Sequence, residues 1–375
     1  MNKLSIRDFS LAIALFAIVA FFAWQSPAFI SARNLSNLSV EFAITAVLAL
    51  GVFLVLLPGQ TDLSTGSGVG LFGGIAAVLI IEQDWPAGAA MSVALIGSVM
   101  LWTGVGWMVV RQRIPAFIMT LAGMLVFRGL HWMVIHNATI PAKIGSQDNL
   151  LSMLTTWYLP KPLGLALAAI IVAILGWSAW QNRQRRLAHG LAVADRDTAF
   201  ATWFISAQLL LLLVVTLNQY NGLPLPVLIL GVVATAVYVL TRHMPFGRHL
   251  YAIGGNPEAA RISGIRVERT IITAFALCGA LVAVTGFLQT AYTGGSTTTV
   301  GTLMELDAIA ACVIGGVSLT GGVGSVGGVL FGALIMATLL NGMTLLAVNP
   351  EMKFITRGLV LAVAVWMDMA LARRR

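Results

Sequence analysis

The sequence predicts an all-α protein that threads a lipid bilayer many times. Three observations carry that prediction: composition, the recurrence of apolar runs, and the basic residues between them. Of 375 residues, 58% are hydrophobic and only 10% are charged, against about a quarter charged in soluble domains. Mean hydropathy is +0.91. Apolar runs fall at residues 9–30, 36–57, 65–82, 91–110, 114–135, 160–180, 199–217, 224–241, 270–292, 303–318, 325–347 and 355–371. Each approaches the roughly 20 residues that take a helix across a bilayer, so about ten to twelve transmembrane helices are expected. The first run follows Lys3 and Arg7. It is long for the apolar core of a signal peptide and lacks a small-residue cleavage site, so it reads as a retained helix.

Basic residues test the count, because they concentrate in cytoplasmic loops. With the N-terminus inside, the inside gaps contain Arg111 and Arg113, then Arg183, Arg185 and Arg186, then Arg242, Arg248, Arg261, Arg266 and Arg269, and finally Arg373 to Arg375. Outside gaps hold scattered Arg33, Lys143, Lys161 and Lys353. Both termini are therefore expected in the cytoplasm. The net charge of +8 is a topology signal, since its residues sit between apolar runs rather than on one face that would bind nucleic acid.

Two longer polar gaps, 136–161 outside and 181–197 inside, lack the composition of a separate soluble domain, so residues 1–375 read as a single membrane domain. Cys278 and Cys312 each lie within an apolar run, and their spacing fits neither a disulfide framework nor a metal site. No nucleophile elbow, paired metal ligands or histidine cluster points to catalysis. The phosphate-cradling G-x-x-x-x-G-K-[ST] loop is also missing from the sequence, so ATP and its magnesium, where used, belong to another chain.

Residues 242–269 form the most structured polar gap. Asn256 is a good N-cap, Pro257 suits the first helical position, and Glu258 complements the positive helix end. Gly264 can supply the left-handed residue that ends the helix. Some two turns are thus written between Asn256 and Gly264, marginal alone in water and in need of a packing surface. Ala259 and Ala260 form a small face, Ile262 and Ile265 an apolar edge, and Arg261 a charge for an acidic partner groove. Capping chemistry leaves two readings open: docking on another protein, or folding back on the membrane domain.

Two glycine-rich segments share a spacing: Gly59-Gln-Thr-Asp62-Leu63-Ser64-Thr-Gly66 and Gly315-Gly-Val-Ser318-Leu319-Thr320-Gly-Gly322. Interrupted segments at corresponding places mark a transporter's substrate path; tight turns at helix contacts are the alternative. Ionisable residues within spans are expensive and are usually functional or paired, which singles out Glu41, Arg128, His131, Glu305 and Asp307. Together these considerations make Asp62, Leu63, Ser64, Glu305, Asp307 and Ser318 the candidate translocation path.

The stretch Gly247-Arg-His-Leu-Tyr-Ala-Ile-Gly-Gly-Asn-Pro-Glu-Ala-Ala-Arg-Ile-Ser-Gly-Ile265 resembles the coupling loop of monosaccharide permeases of ABC importers, the ribose and xylose type. The segments at 31–37, 62–64, 115–124 and 305–319 are similar to that family in the same order, and the near-terminal residues 364–368 are similar to its xylose branch. One departure is Pro58-Gly-Gln-Thr-Asp62, where the family has Gly-Gly-Ile-Asp. The resemblance implies a type II-like ABC importer permease in a bacterial inner membrane, passing a monosaccharide such as D-xylose or another pentose. It further implies a separate ATPase that receives Gly254, Gly255, Asn256, Pro257, Glu258, Ala259, Ala260, Arg261 and Gly264, a periplasmic sugar-binding protein, and a second permease copy. The alternatives are a branched-chain amino-acid ABC permease, and an ion-coupled secondary transporter in which Asp62 and Glu305 carry protons.

Overall fold

A computed structural model describes residues 6–145, 147–191, 193 and 195–372. Lys3 and Arg373 to Arg375, used in the charge reading, lie outside them. The described chain is helical apart from four two-residue strands. Eight helices are long and apolar enough to cross a membrane, and two shorter apolar helices lie at Leu11–Gln25 and Thr65–Ile81.

The chain divides into two compact units, residues 1–39 with 157–225 and residues 40–156 with 226–375. The first unit holds α1 (Ile6–Gln25) and a 3-10 turn (Pro27–Ile30) that leads into α2 (Ala32–Leu56), a helix continuing into the second unit. In the second unit follow α3 (Thr65–Ile81), α4 (Ala87–Arg111), α5 (Ala116–Val134), strand β1 (Ile140–Pro141) and the short α6 (Leu150–Thr156). The chain then returns to the first unit with β2 (Tyr158–Leu159), α7 (Lys161–Ala188), α8 (Arg196–Gln219) and β3 (Leu223–Pro224). There β2 pairs antiparallel with β3, and α7 packs on α8.

The second unit is completed by α9 (Leu225–Arg242), α10 (Pro245–Gly255), α11 (Pro257–Ile262), α12 (Val267–Tyr292), β4 (Gly295–Ser296), α13 (Met304–Ile314), α14 (Val326–Leu345) and α15 (Pro350–Ala372). Strand β1 pairs with β4, joining Ile140 to Ser296.

Burial separates interior helices from lipid-facing ones. Within its most apolar window α2 is 83% buried, whereas α7 is 11% buried. A helix apolar all round belongs in an interior or in lipid, and α3 shows the first case. Every residue from Thr65 to Gly74 is buried, enclosed by α4, α5 and α12. Small residues make this possible, as in membrane helix pairs generally: Gly68 of α3 and Gly279 of α12 leave the space that the fully buried Trp102 fills.

The expected spans all fold as helices, with one difference of kind. The run at 303–318 yields α13, only 11 residues long. At about 1.5 Å per residue it covers roughly 16 Å, about half of a hydrocarbon core. Glu305 and Asp307 of its first turn are buried, and Gly66 at the start of α3 lies against Gly301 and Glu305. Two short helices thus begin beside each other within the protein. Such a break is tolerated at membrane depth only where protein or an aqueous cavity receives its backbone.

Asp62 locks the turn before α3. One carboxylate oxygen accepts from the Ser64 amide at 2.8 Å and from the Ser64 hydroxyl at 2.6 Å. The other accepts from the Trp102 indole N–H at 2.7 Å. Leu63 donates its amide to the Thr120 hydroxyl at 3.1 Å. Replacing Asp62 with Ala leaves the buried Trp102 N–H unpaired and is expected to cost about 1–3 kcal/mol. The check is a lower Tm of the purified protein in detergent, by several degrees; an unchanged Tm counts against the lock.

Candidate functional site

Three segments far apart in sequence converge at one backbone junction. The Leu57 carbonyl, at the end of α2, accepts from the Gly322 amide at 2.9 Å. A Cβ on Gly254 of α10 would collide with that carbonyl and with the Gly321–Gly322 backbone. A Cβ on Gly59 would press on the Thr320 carbonyl at 3.0 Å, and one on Gly321 would meet Gly59 and Gly254. Both glycine-rich breaks and the loop helix therefore meet where only backbone fits. Gly59, Gly321 and Gly322 also take left-handed φ values of +78°, +91° and +75°, which glycine adopts without steric cost.

Around this junction the loop folds as its capping residues dictate. The Asn256 side chain accepts from the Ala259 amide at 3.0 Å, starting α11. Gly264 closes it at φ +82°. Ala260 is buried, whereas Ile262 is 87% exposed; Glu258 pairs with Arg261 at 3.6 Å on the surface. The helix α10, which precedes Asn256, has no counterpart in the sequence reading. It starts on Pro245 and buries Gly247, Leu250 and Ile253. Tyr251 donates its hydroxyl to the Gly324 carbonyl at 2.9 Å, and burial holds that phenol above its ordinary pKa, so it remains a donor.

A second feature of the same unit is a polar cavity of about 430 Å³ between α2, α12 and the start of α13, a volume within the range of small-molecule sites. Glu41 of α2 accepts the Tyr292 hydroxyl at 2.6 Å. Asp307 of α13 faces Arg357 of α15 at 3.1 Å, an ion pair whose N–H direction misses the hydrogen-bond line. Gln289, Thr299 and Thr302 add uncharged polar groups to the wall.

The candidate path residues are dispersed. Asp307 lines the cavity. Glu305, two residues earlier, turns toward Gly66, and its Oε2 is buried without a hydrogen bond. Asp62, Leu63 and Ser64 sit beside Trp102 and Thr120. Ser318 belongs to the junction turn, where its hydroxyl meets that of Thr320 at 2.8 Å.

His131 is buried with Nε2 at 3.0 Å from the Ser296 hydroxyl, a packing contact between α5 and β4. Arg357 and Tyr292 escaped the sequence reading. Arg357 lies inside the last apolar run and carries the same signal that singled out Asp307, an ionisable group in a span.

A bundle of bilayer-length helices with broken helices meeting inside it, and a polar cavity at the break, defines a multi-pass membrane permease. The chain belongs to the permease family described as branched-chain amino acid transport system, permease component, whose model matches residues 34–365. It is the permease subunit of an ABC transporter, a non-catalytic transport component, and that family membership sets aside the ion-coupled secondary transporter.

Relatives cover its full length. It is 40% identical to the xylose transport system permease protein XylH of Escherichia coli (strain K12), over 100% of this chain and 94% of the relative. It is 39% identical to XylH of Haemophilus influenzae, over 98% and 97%. The ribose import permease protein RbsC of Escherichia coli (strain K12) is 33% identical, over 95% and 92%. No solved structure matches the chain.

Two adjacent glycines give a sharp test of the junction. An added Cβ at Gly254 meets the backbone of two other segments, at Leu57 and at Gly321–Gly322, whereas one at Gly255 meets nothing within 4 Å. Gly254→Ala is expected to destabilise by about 1–3 kcal/mol through overpacking. Gly255→Ala should change stability by less than about 0.5 kcal/mol. Thermal unfolding of the two purified variants decides, and equal losses contradict the junction.

Proposed function

We propose that this chain is the membrane-spanning subunit of an ATP-driven importer for a pentose, with D-xylose the first candidate. The observation that carries the reading is the similarity to xylose permeases along the whole chain, 40% identical to the Escherichia coli protein. The family description names branched-chain amino acids. The cavity favours a neutral polyol over a zwitterion, because each charged group on its wall already has a partner: Glu41 has Tyr292, and Asp307 has Arg357. Hydroxyl and amide groups remain for sugar hydroxyls, as specificity in an otherwise apolar site requires. The path runs through this cavity, with Asp307 on its wall and Asp62, Ser64 and Glu305 supporting the helices that shape it.

The α10–α11 loop lies on the cytoplasmic side, as do both termini, in keeping with the basic gaps around Arg111, Arg242 and Arg266. A separate ATPase holding ATP and magnesium docks there, against the exposed Ile262 and a groove of about 370 Å³ that includes Arg266 and Arg269. This chain binds no cofactor of its own. A periplasmic binding protein delivers the sugar, and a second copy of the permease completes the assembly in the bacterial inner membrane. Movement of the loop reaches the cavity through the glycine junction, a two-state change biased by nucleotide on one side and loaded binding protein on the other.

Glu258→Lys reverses the charge on the outer face of α11, where Glu258 is 78% exposed, and is expected to lower recovery of the ATPase in co-purification while membrane insertion is unchanged. Undiminished recovery removes α11 from the docking surface.

For the substrate, the complex reconstituted in proteoliposomes with ATPase and binding protein is assayed with labelled xylose against unlabelled ribose, arabinose and galactose. Xylose should compete best, and Tyr292→Phe should slow uptake several-fold without loss of assembly. Equal uptake by the variant takes Tyr292 out of the path, and stronger competition by galactose overturns the pentose assignment.

A further inference from the structure

In the first unit, the antiparallel pair α7 and α8 is wedged by Trp203. Its indole N–H donates to the Val172 carbonyl at 3.1 Å, and Gly176 gives the ring its room. Beside that wedge lies a cleft of about 450 Å³, walled by Ser178, Asn182, Arg183 and Arg186 of α7 and by Thr198 and Thr202 of α8. Among the side chains described, two arginines and no acid line it; Asp195, just before α8, is exposed and outside the lining.

Depth gives the cleft its meaning. The 28 residues of α7 extend roughly 42 Å, beyond a hydrocarbon core of about 30 Å. Trp177 and Trp180 are 60% and 52% exposed, the signature of residues at the level of lipid headgroups. Arg183 and Arg186 lie roughly 5 and 9 Å further along the axis than Trp180. Toward the membrane centre the same helix exposes Ile170 and Ile174, a surface for acyl chains. The cleft therefore joins an apolar wall to a cationic mouth at phosphate depth.

We propose that this cleft binds the headgroup of an anionic phospholipid, a role separate from sugar passage and from ATPase docking. Basic pockets between transmembrane helices are suited to anionic headgroups. The hydroxyls contribute little donor capacity, since Ser178 donates to the Leu175 carbonyl at 3.0 Å and Thr202 to the Thr198 carbonyl at 2.8 Å. Donors to the phosphate come from Arg183, Arg186 and the Asn182 amide. A guanidinium has five N–H donors, so one engaged elsewhere still serves a phosphate. Helix-dipole complementation also places arginines in a last turn, but it does not distinguish Arg186 from Arg185, whereas only Arg186 of these two lines the cleft.

Full-length permease purified in detergent is titrated with phosphatidylglycerol, phosphatidylcholine or inorganic phosphate, and bound lipid is counted by native mass spectrometry. One saturable phosphatidylglycerol site is expected, unaffected by inorganic phosphate. The double variant R183Q/R186Q should weaken it roughly 25-fold, the product of about fivefold for each arginine near a charged surface. R185Q should leave it unchanged. Asn182→Leu, a milder change, should weaken it measurably and keeps the test valid if the double variant does not fold. Equal retention of phosphatidylcholine, equal loss in R185Q, or unaltered binding in Asn182→Leu overturns the assignment.

Discussion

The structure depends most on the hydrogen bond from the Gly322 amide to the Leu57 carbonyl at 2.9 Å and on the absence of side chains around it. Gly59, Gly254 and Gly321 approach so closely that a single Cβ at any of them meets another segment's backbone. Each segment leads elsewhere. From Leu57, α2 runs roughly 24 Å at 1.5 Å per residue to Glu41 on the cavity wall. From the 315–322 turn, α13 runs back to Asp307 on the same wall. From Gly254, the chain passes directly into α11, the exposed element of the loop. Because packed backbone deforms in discrete steps rather than continuously, a displacement of α10 bears on two walls of the cavity at once.

Rigidity beneath this junction comes from the Asp62 lock. A buried carboxylate is costly unless its oxygens are hydrogen-bonded, and Asp62 meets that condition with Ser64 and Trp102. It holds the start of α3 against α4 while Gly66 receives the 301–305 segment. The interior charges thus differ in what they do, since Asp62 fixes the frame whereas Asp307 with Arg357 borders the polar space. The weakly buried α7 and α8 contrast with both, because their apolar residues stay exposed in the single chain.

Much of this is legible in the sequence where the cause is local. Hydropathy locates the helices, and Asn256 and Gly264 fix the ends of α11 because capping and left-handed φ are properties of a few adjacent residues. The matched Gly-Leu-Gly spacing singles out both breaks, although not that they touch each other and Gly254, which depends on the fold of the whole second unit. Hydropathy also reads 303–318 as a span. Its apolar content is that of a buried half-helix, and Leu303 at φ +62° marks a start that no composition signals. A buried acid such as Asp62 has the same sequence signature whether it faces a cavity or a tryptophan, and its bond to Trp102 is visible only in the fold. Arg357 stands out no more than the other ionisable residues in spans, and only its approach to Asp307 gives it a role.

The central claim is that the loop and the cavity move together through the glycine junction, and cavity accessibility tests it most directly. Thr302 lines the cavity, and the native Cys278 and Cys312 are buried, so a Thr302→Cys variant reports from that wall with a small maleimide. Its labelling rate is measured in the reconstituted complex with the ATPase free of nucleotide and then trapped with nucleotide and vanadate. The rate is predicted to change several-fold between the two states. An identical rate in a complex that still hydrolyses ATP and transports sugar would contradict the claim.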